Sequence, residues 1–110
     1  MKKTLAAAQA IVLALGLFGC GGGPVYRFTA TSAPQPPKAP GCTFAISNSP
    51  PDPQHFQELG ALDPLRQPSR RLDIFKKHAA PAVCAAGGDL VVPEVNSYGL
   101  YMRGIVYRQL

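Results

Sequence analysis

The side chains able to do chemistry in this 110-residue chain are few and scattered. Cys20, Cys42 and Cys84 are its three cysteines, and His55 and His78 its two histidines. Cys42, His55, His78 and Cys84 could together hold zinc. They are separated by 13, 23 and 6 positions, whereas zinc ligands usually come as close Cys-x-x-Cys or His-x-x-x-His pairs. No serine sits in a nucleophile-elbow context. Asp63, Asp73 and Asp89 read as a strand end, the solvent face of a helix and a helix-to-strand turn, which leaves no pair of desolvated carboxylates for acid–base work. Arg70, Arg71, Lys76 and Lys77 gather on or near one helix, with Arg103 and Arg108 on the last strand. These cations could attract anionic lipid or lipopolysaccharide phosphates, or form no more than a solvated face. The expectation is a protein without a catalytic residue, cofactor or metal.

The third cysteine closes an apolar leader. Lys2 and Lys3 open residues 1–19, Leu5 to Phe18 follow as an uncharged apolar stretch with Gln9 its one strongly polar member, and Gly19 precedes Cys20. This is the three-part layout of an export signal. Fourteen helical residues rise only about 21 Å against a hydrocarbon core of about 30 Å, so the stretch reads as a signal rather than a permanent span. Leu17-Phe18-Gly19-Cys20 resembles the lipobox of bacterial lipoproteins. The resemblance implies diacylglyceryl transfer to the Cys20 thiol, cleavage before it, and fatty acylation (palmitate in type) of the new amine. One acyl chain binds a membrane marginally, at about 0.8 kcal/mol per buried methylene, and two or more anchor it stably. Gly21 stands where an Asp would signal inner-membrane retention, so the resemblance favours the outer membrane. The competing reading is an ordinary secretory signal beside a chance cysteine.

Cleavage at Cys20 leaves residues 20–110, 91 in number, and lowers the net charge from +5 to +3 because Lys2 and Lys3 leave with the signal. That length suits one small domain and excludes barrels and dinucleotide-binding folds. The charge is too mild for a nucleic-acid footprint. Residues 21–41, rich in Gly, Pro, Ser, Thr and Ala, read as an extended tether that buries too little apolar area to order itself. Within it, Tyr26-Arg27-Phe28 is the one patch able to meet lipid headgroups or a partner groove. Residues 42–110 hold the folded domain. With Cys20 modified, Cys42 and Cys84 remain as an even pair in an oxidising compartment, which favours a disulfide. Closing that loop stabilises by about 4 kcal/mol in the chain-entropy model. Free thiols and a zinc site stand as the alternatives.

Periodicity predicts four strands and one helix for the domain. Cys42–Ile46 is a short strand ended by Asn48 and Pro50-Pro51. Phe56–Leu62 is a second, in which Gly60 marks a bulge or a close approach. Ser69 is a plausible cap for a helix reaching Ala86, with Leu72, Phe75, Ala79, Val83 and Ala86 on one face. Pro81 predicts a kink or break near Lys77, and Gly87-Gly88 the helix end. That glycine pair lacks the strand, lysine and following helix of a phosphate loop. Leu90–Val92 and Val95 lead into the Asn96-Ser97-Tyr98-Gly99 turn. In the return strand Leu100, Met102, Gly104 and Val106 alternate with Tyr101, Arg103, Ile105 and Tyr107. Pro93 belongs at an edge or bulge. The order β-β-α-β-β predicts an α+β fold, one helix on a small antiparallel sheet.

Taken together, the Phe56–Leu62 run, the helix containing Cys84, Gly87-Gly88-Asp89-Leu90-Val91 and Tyr98-Gly99-Leu100-Tyr101 resemble small bacterial lipoproteins of unknown function. The resemblance spans about half of the mature chain. It extends distantly to the stress-sensor lipoprotein of the Rcs phosphorelay, another stapled α+β domain on a proline-rich tether. It implies a lipid-anchored envelope protein acting as a binding, structural or sensing module, and carries over no catalytic residue. The other classes consistent with these residues are a small periplasmic metal- or ligand-binding domain and a hydrolase without a recognisable motif.

Overall fold

Period-two alternation and one amphipathic stretch build a five-stranded sheet and a single helix over residues 23–110, the part of the chain that the computed structural model describes. The segment expected to be an export signal (1–19) and Cys20, the expected lipidation site, lie outside the described residues. The strands are β1 (Tyr26–Ala30), β2 (Ala45–Ile46), β3 (Phe56–Pro64), β4 (Leu90–Val95) and β5 (Tyr101–Gln109), and the helix α1 spans Leu72–Ala86 between β3 and β4. Their order across the sheet is β1-β3-β5-β4-β2. The fold class is α+β. The sheet is mixed rather than antiparallel, because β2 runs parallel to β4 while every other pair is antiparallel.

The largest departure from the sequence reading is β1. Tyr26–Ala30 is a strand of the sheet, paired with β3 in the register Tyr26↔Pro64 to Ala30↔Gly60, not part of a disordered tether. The physical reason is burial: Tyr26 is 3 % exposed and meets Phe75 edge-on at 5.4 Å between ring centroids. An aromatic of this size, with its hydroxyl bonded, outweighs the ordering entropy of a five-residue strand better than the flanking composition suggests. The folded unit therefore begins well before residue 42.

Helix α1 packs one face on the sheet. Phe75, Ala79, Val83 and Cys84 are buried, whereas Leu72 is 45 % exposed. Arg71, not Ser69, occupies the N-cap and makes no side-chain cap bond; the Ser69 hydroxyl instead accepts the Arg71 N–H at 3.0 Å. The helix continues through Pro81 without a break. Pro81 and Lys77 are both exposed, so the Lys77 carbonyl that loses its partner can turn to water, which lowers the penalty of an internal proline. Gly87 ends the helix in the left-handed conformation (φ 79°), where a side chain would be strained.

Two bulges place the core. Glu58 pairs with Tyr107 and Gly60 with Val106, so Leu59 is the extra residue in β3. Glu94 pairs with Arg103 and Val95 with Tyr101, so Met102 is the extra residue in β5. The second bulge reverses the face expected for Tyr101, whose ring stacks on Phe75 at 5.3 Å. Phe75, Leu62, Val83, Val91 and Val106 are fully buried at the centre. Pro93 lies where β2, which covers only Leu90 and Val91, leaves β4 as a sheet edge.

Candidate functional site

A groove of about 240 Å³ opens beside β1, with Phe28, Ala30, Leu59, Pro34, Ala82 and Ala85 among its walls. Three sequence features build it. The alternation of β1 points Tyr26, Phe28 and Ala30 to the helix side of the sheet. The Leu59 bulge turns that side chain into the core, where it is 3 % exposed. The alanines of the last two turns of α1 leave space that larger residues would fill. Gly60 permits the close approach beneath: a Cβ there would lie 2.3 Å from the Thr29 carbonyl and 2.6 Å from the Phe28 ring. The walls carry no charged side chain, so the groove suits an apolar group and offers no acid or base.

Below the groove, residues 32–42 run past the C-terminal end of α1 and are fastened there. The Lys38 N–H donates to the Cys84 carbonyl at 2.7 Å. Its ammonium donates to the Thr43 and Gly88 carbonyls at 2.9 and 3.0 Å and to Asp89 Oδ1 at 2.9 Å. Cys42 and Cys84 form a disulfide with Cα atoms 5.8 Å apart. Asp89 also accepts the Gln109 N–H at 2.9 Å. Partial burial pushes the Asp89 carboxyl up, but the hydrogen bonds from Lys38 and Gln109 and the charges of Lys38 and Arg108 outweigh it, holding the group below its ordinary value. Burial raises the Tyr26 phenol, which donates to the Tyr101 carbonyl at 2.8 Å.

The cations do not assemble into one stripe. Arg71 makes a two-pronged contact with Asp73 at 3.1 and 2.8 Å, and Lys76 lies 5.4 Å from the Phe44 ring centroid. Arg108 donates to the Gly87 carbonyl at 3.3 Å. Arg103 pairs with Asp63 at 3.2 Å on the sheet face away from the helix. There Arg27, Asp63, Arg103 and Glu94 are neighbours across four strands, a row of alternating charge. Arg70 and Lys77 have no ion-pair partner among the described residues.

No family model, curated protein or solved structure matches this chain.

Of the residues singled out in the sequence, Cys42 and Cys84 are brought together and Cys20 lies outside the described residues. Among the described residues, no group of three or more His, Cys, Asp or Glu side chains is placed to hold a metal. His55 pairs with Asp52 at 2.7 Å in an exposed turn. Asp63, Asp73 and Asp89 each meet a cation instead of one another. The Tyr26-Arg27-Phe28 patch is divided by the strand: Tyr26 enters the core, Arg27 faces solvent and Phe28 lines the groove. Sequence reasoning missed the groove and the Lys38 fastening. The signal available for the groove was the apolar alternation of Tyr26, Phe28 and Ala30.

Proposed function

We propose that this chain is a cell-envelope lipoprotein, anchored through acyl groups on Cys20 and presenting a disulfide-stapled α+β domain as a non-enzymatic binding, structural or sensing module. The observation that carries the reading is the Cys42–Cys84 bond. Such bonds persist in exported proteins and are rare in reducing compartments, which agrees with an export signal ahead of Cys20. The lipobox-like Leu17-Phe18-Gly19-Cys20 supports the anchor, and Gly21 supports the outer membrane as its site. The apolar groove supports binding over catalysis: its walls carry no histidine or charged side chain to act as a base, and the one hydroxyl among them, that of Ser32, donates to the Glu58 carbonyl at 2.9 Å.

The groove also favours a second reading, a small periplasmic domain that takes up an apolar ligand directly. Ala85→Leu, which fills the groove from α1, would abolish such binding while leaving the anchor intact.

Fractionation of cells tests the leading reading. Wild-type chain should sediment with envelopes and dissolve in detergent, and Cys20→Ala should appear in the soluble fraction. A Cys20→Ala chain that still sediments, or a wild-type chain found soluble, removes the lipid anchor from the account.

A further inference from the structure

We propose that the free edge of β1 is a docking edge for a second copy of this chain, the two β1 strands pairing antiparallel about a two-fold axis at Phe28. The inference stands on the sheet alone and does not require the lipid anchor.

The hydrogen-bonding pattern identifies the edge. The Leu65 N–H donates to the Val25 carbonyl at 2.7 Å and the Thr31 N–H to the Leu59 carbonyl at 2.9 Å. In an antiparallel ladder these donors and acceptors alternate. Val25, Arg27, Thr29 and Thr31 therefore bond towards β3, and the N–H and C=O groups of Tyr26, Phe28 and Ala30 point out of the sheet. None of the described residues pairs with them. Proteins usually blunt such an edge with a very short strand, charged side chains (lysine above all), a proline or a bulge. The opposite edge follows that rule: β2 is two residues long and Pro50-Pro51 follow it. Strand β1 holds no lysine, proline or bulge, its single charged residue Arg27 is paired across the ladder with Asp63, and the bulges of the sheet lie in β3 and β5, inside it.

The register makes a second copy the fitting occupant. With the axis at Phe28, Phe28 faces Phe28 and Tyr26 faces Ala30 of the other copy as hydrogen-bonded pairs. Every outward N–H then meets a carbonyl, giving about six bonds. Arg27 falls opposite Thr29 of the other copy, so no cation faces a cation, and the Asp63 beside each Arg27 is undisturbed. Both Phe28 rings lie on the helix side, adjacent to each other at the mouths of the two grooves they line. A five-residue strand pair is small beside the roughly 1,200–2,000 Å² of stable interfaces, which predicts weak association, on the order of micromolar to millimolar.

Cysteine crosslinking of the full-length protein reads the register. Arg27→Cys and Thr29→Cys are made as separate chains, mixed and oxidised, and the linked peptides are identified by mass spectrometry so that any bond to Cys20 is told apart. Opposed non-hydrogen-bonded residues approach to about 4.5 Å between Cα atoms, inside the disulfide range, and the diagonal Arg27–Arg27 separation of about 7–8 Å is outside it. The expected result is a 27–29 bond in the mixture and little crosslinking of either chain alone. Ala30→Pro removes an outward N–H without touching the β1–β3 ladder. It should keep the thermal midpoint and raise the dimer dissociation constant at least about tenfold by light scattering. A chain that stays monomeric to about 1 mM, crosslinks that ignore register, or a dimer indifferent to Ala30→Pro overturns the proposal. Should Ala30→Pro fail to fold, the crosslinking pattern decides alone.

Discussion

Replacing Tyr26 asks whether β1 belongs to the domain. Tyr26 is 3 % exposed, sits edge-on to Phe75 at 5.4 Å and donates its hydroxyl to the Tyr101 carbonyl at 2.8 Å. Truncating a buried aromatic to alanine costs about 3–5 kcal/mol through lost transfer energy and the cavity left behind. Within that, the aromatic pair accounts for about 0.5–1.5 kcal/mol. Tyr26→Phe keeps the ring and removes only the hydroxyl, leaving a part-buried carbonyl without its donor, a loss of about 1 kcal/mol. Small domains have about 5–15 kcal/mol in all, so Tyr26→Ala should bring the chain close to unfolding at 37 °C while Tyr26→Phe remains folded. Urea denaturation of both variants with the disulfide intact measures this as a fall in midpoint at nearly constant slope. If residues 23–41 were a tether, both substitutions would be neutral. A loss below about 0.5 kcal/mol for Tyr26→Ala, the range of surface substitutions, would refute the placement of β1.

Other perturbations follow from the same contacts. The Cys42→Ser/Cys84→Ser double variant, which opens a loop of sequence separation 42, should lose up to about 4 kcal/mol in urea denaturation; a loss under about 1 kcal/mol would contradict a stabilising staple. Gly60→Ala drives a Cβ to 2.3 Å from the Thr29 carbonyl. It should destabilise by about 1–3 kcal/mol and speed hydrogen exchange at Thr31, whose N–H bonds Leu59 across that gap. Because the Asp89 carboxyl is held below its ordinary value in the folded chain, its ionised form adds stability that is complete above the ordinary carboxylate range near pH 4. That contribution is lost as pH falls through the lower, folded value. Asp89→Asn should therefore lower the urea midpoint at pH 7 by the equivalent of about 1–2 kcal/mol, the pair being partly exposed, and flatten the acid limb of the stability profile. An unchanged acid limb would remove Asp89 from this role.

Much of the domain was legible because its signals are local. The Asn96 turn declares itself by residue type, and its side-chain carbonyl accepts the Tyr98 and Leu100 N–H groups at 3.0 Å each. Gly87 ends the helix as its type predicts. The pairing of Cys42 with Cys84 follows from a count of three once Cys20 is set aside. The unread features depend on partners distant in sequence. Strand β1 shows alternation, but its burial is supplied by Phe75 and by β3, some 30–50 residues on, and the glycines and prolines around it dominate the local composition. The Met102 bulge is invisible to a strict period of two, which puts Tyr101 on the face opposite the one it occupies beside Phe75. Pro81 marks a break only if its neighbourhood is dry, and both it and Lys77 face water. The groove joins Phe28, Leu59 and Ala82 from three elements, and no short window contains it.

The central claim is a lipid-anchored, disulfide-stapled envelope domain, and intact-mass analysis of the chain purified from envelopes tests it most directly. The account predicts a polypeptide beginning at Cys20, heavier than its sequence by a diacylglyceryl group and an amide-linked acyl chain, with Cys42 and Cys84 oxidised to each other. An unmodified chain that retains residues 1–19, or one cleaved elsewhere with a free Cys20 thiol, would contradict it.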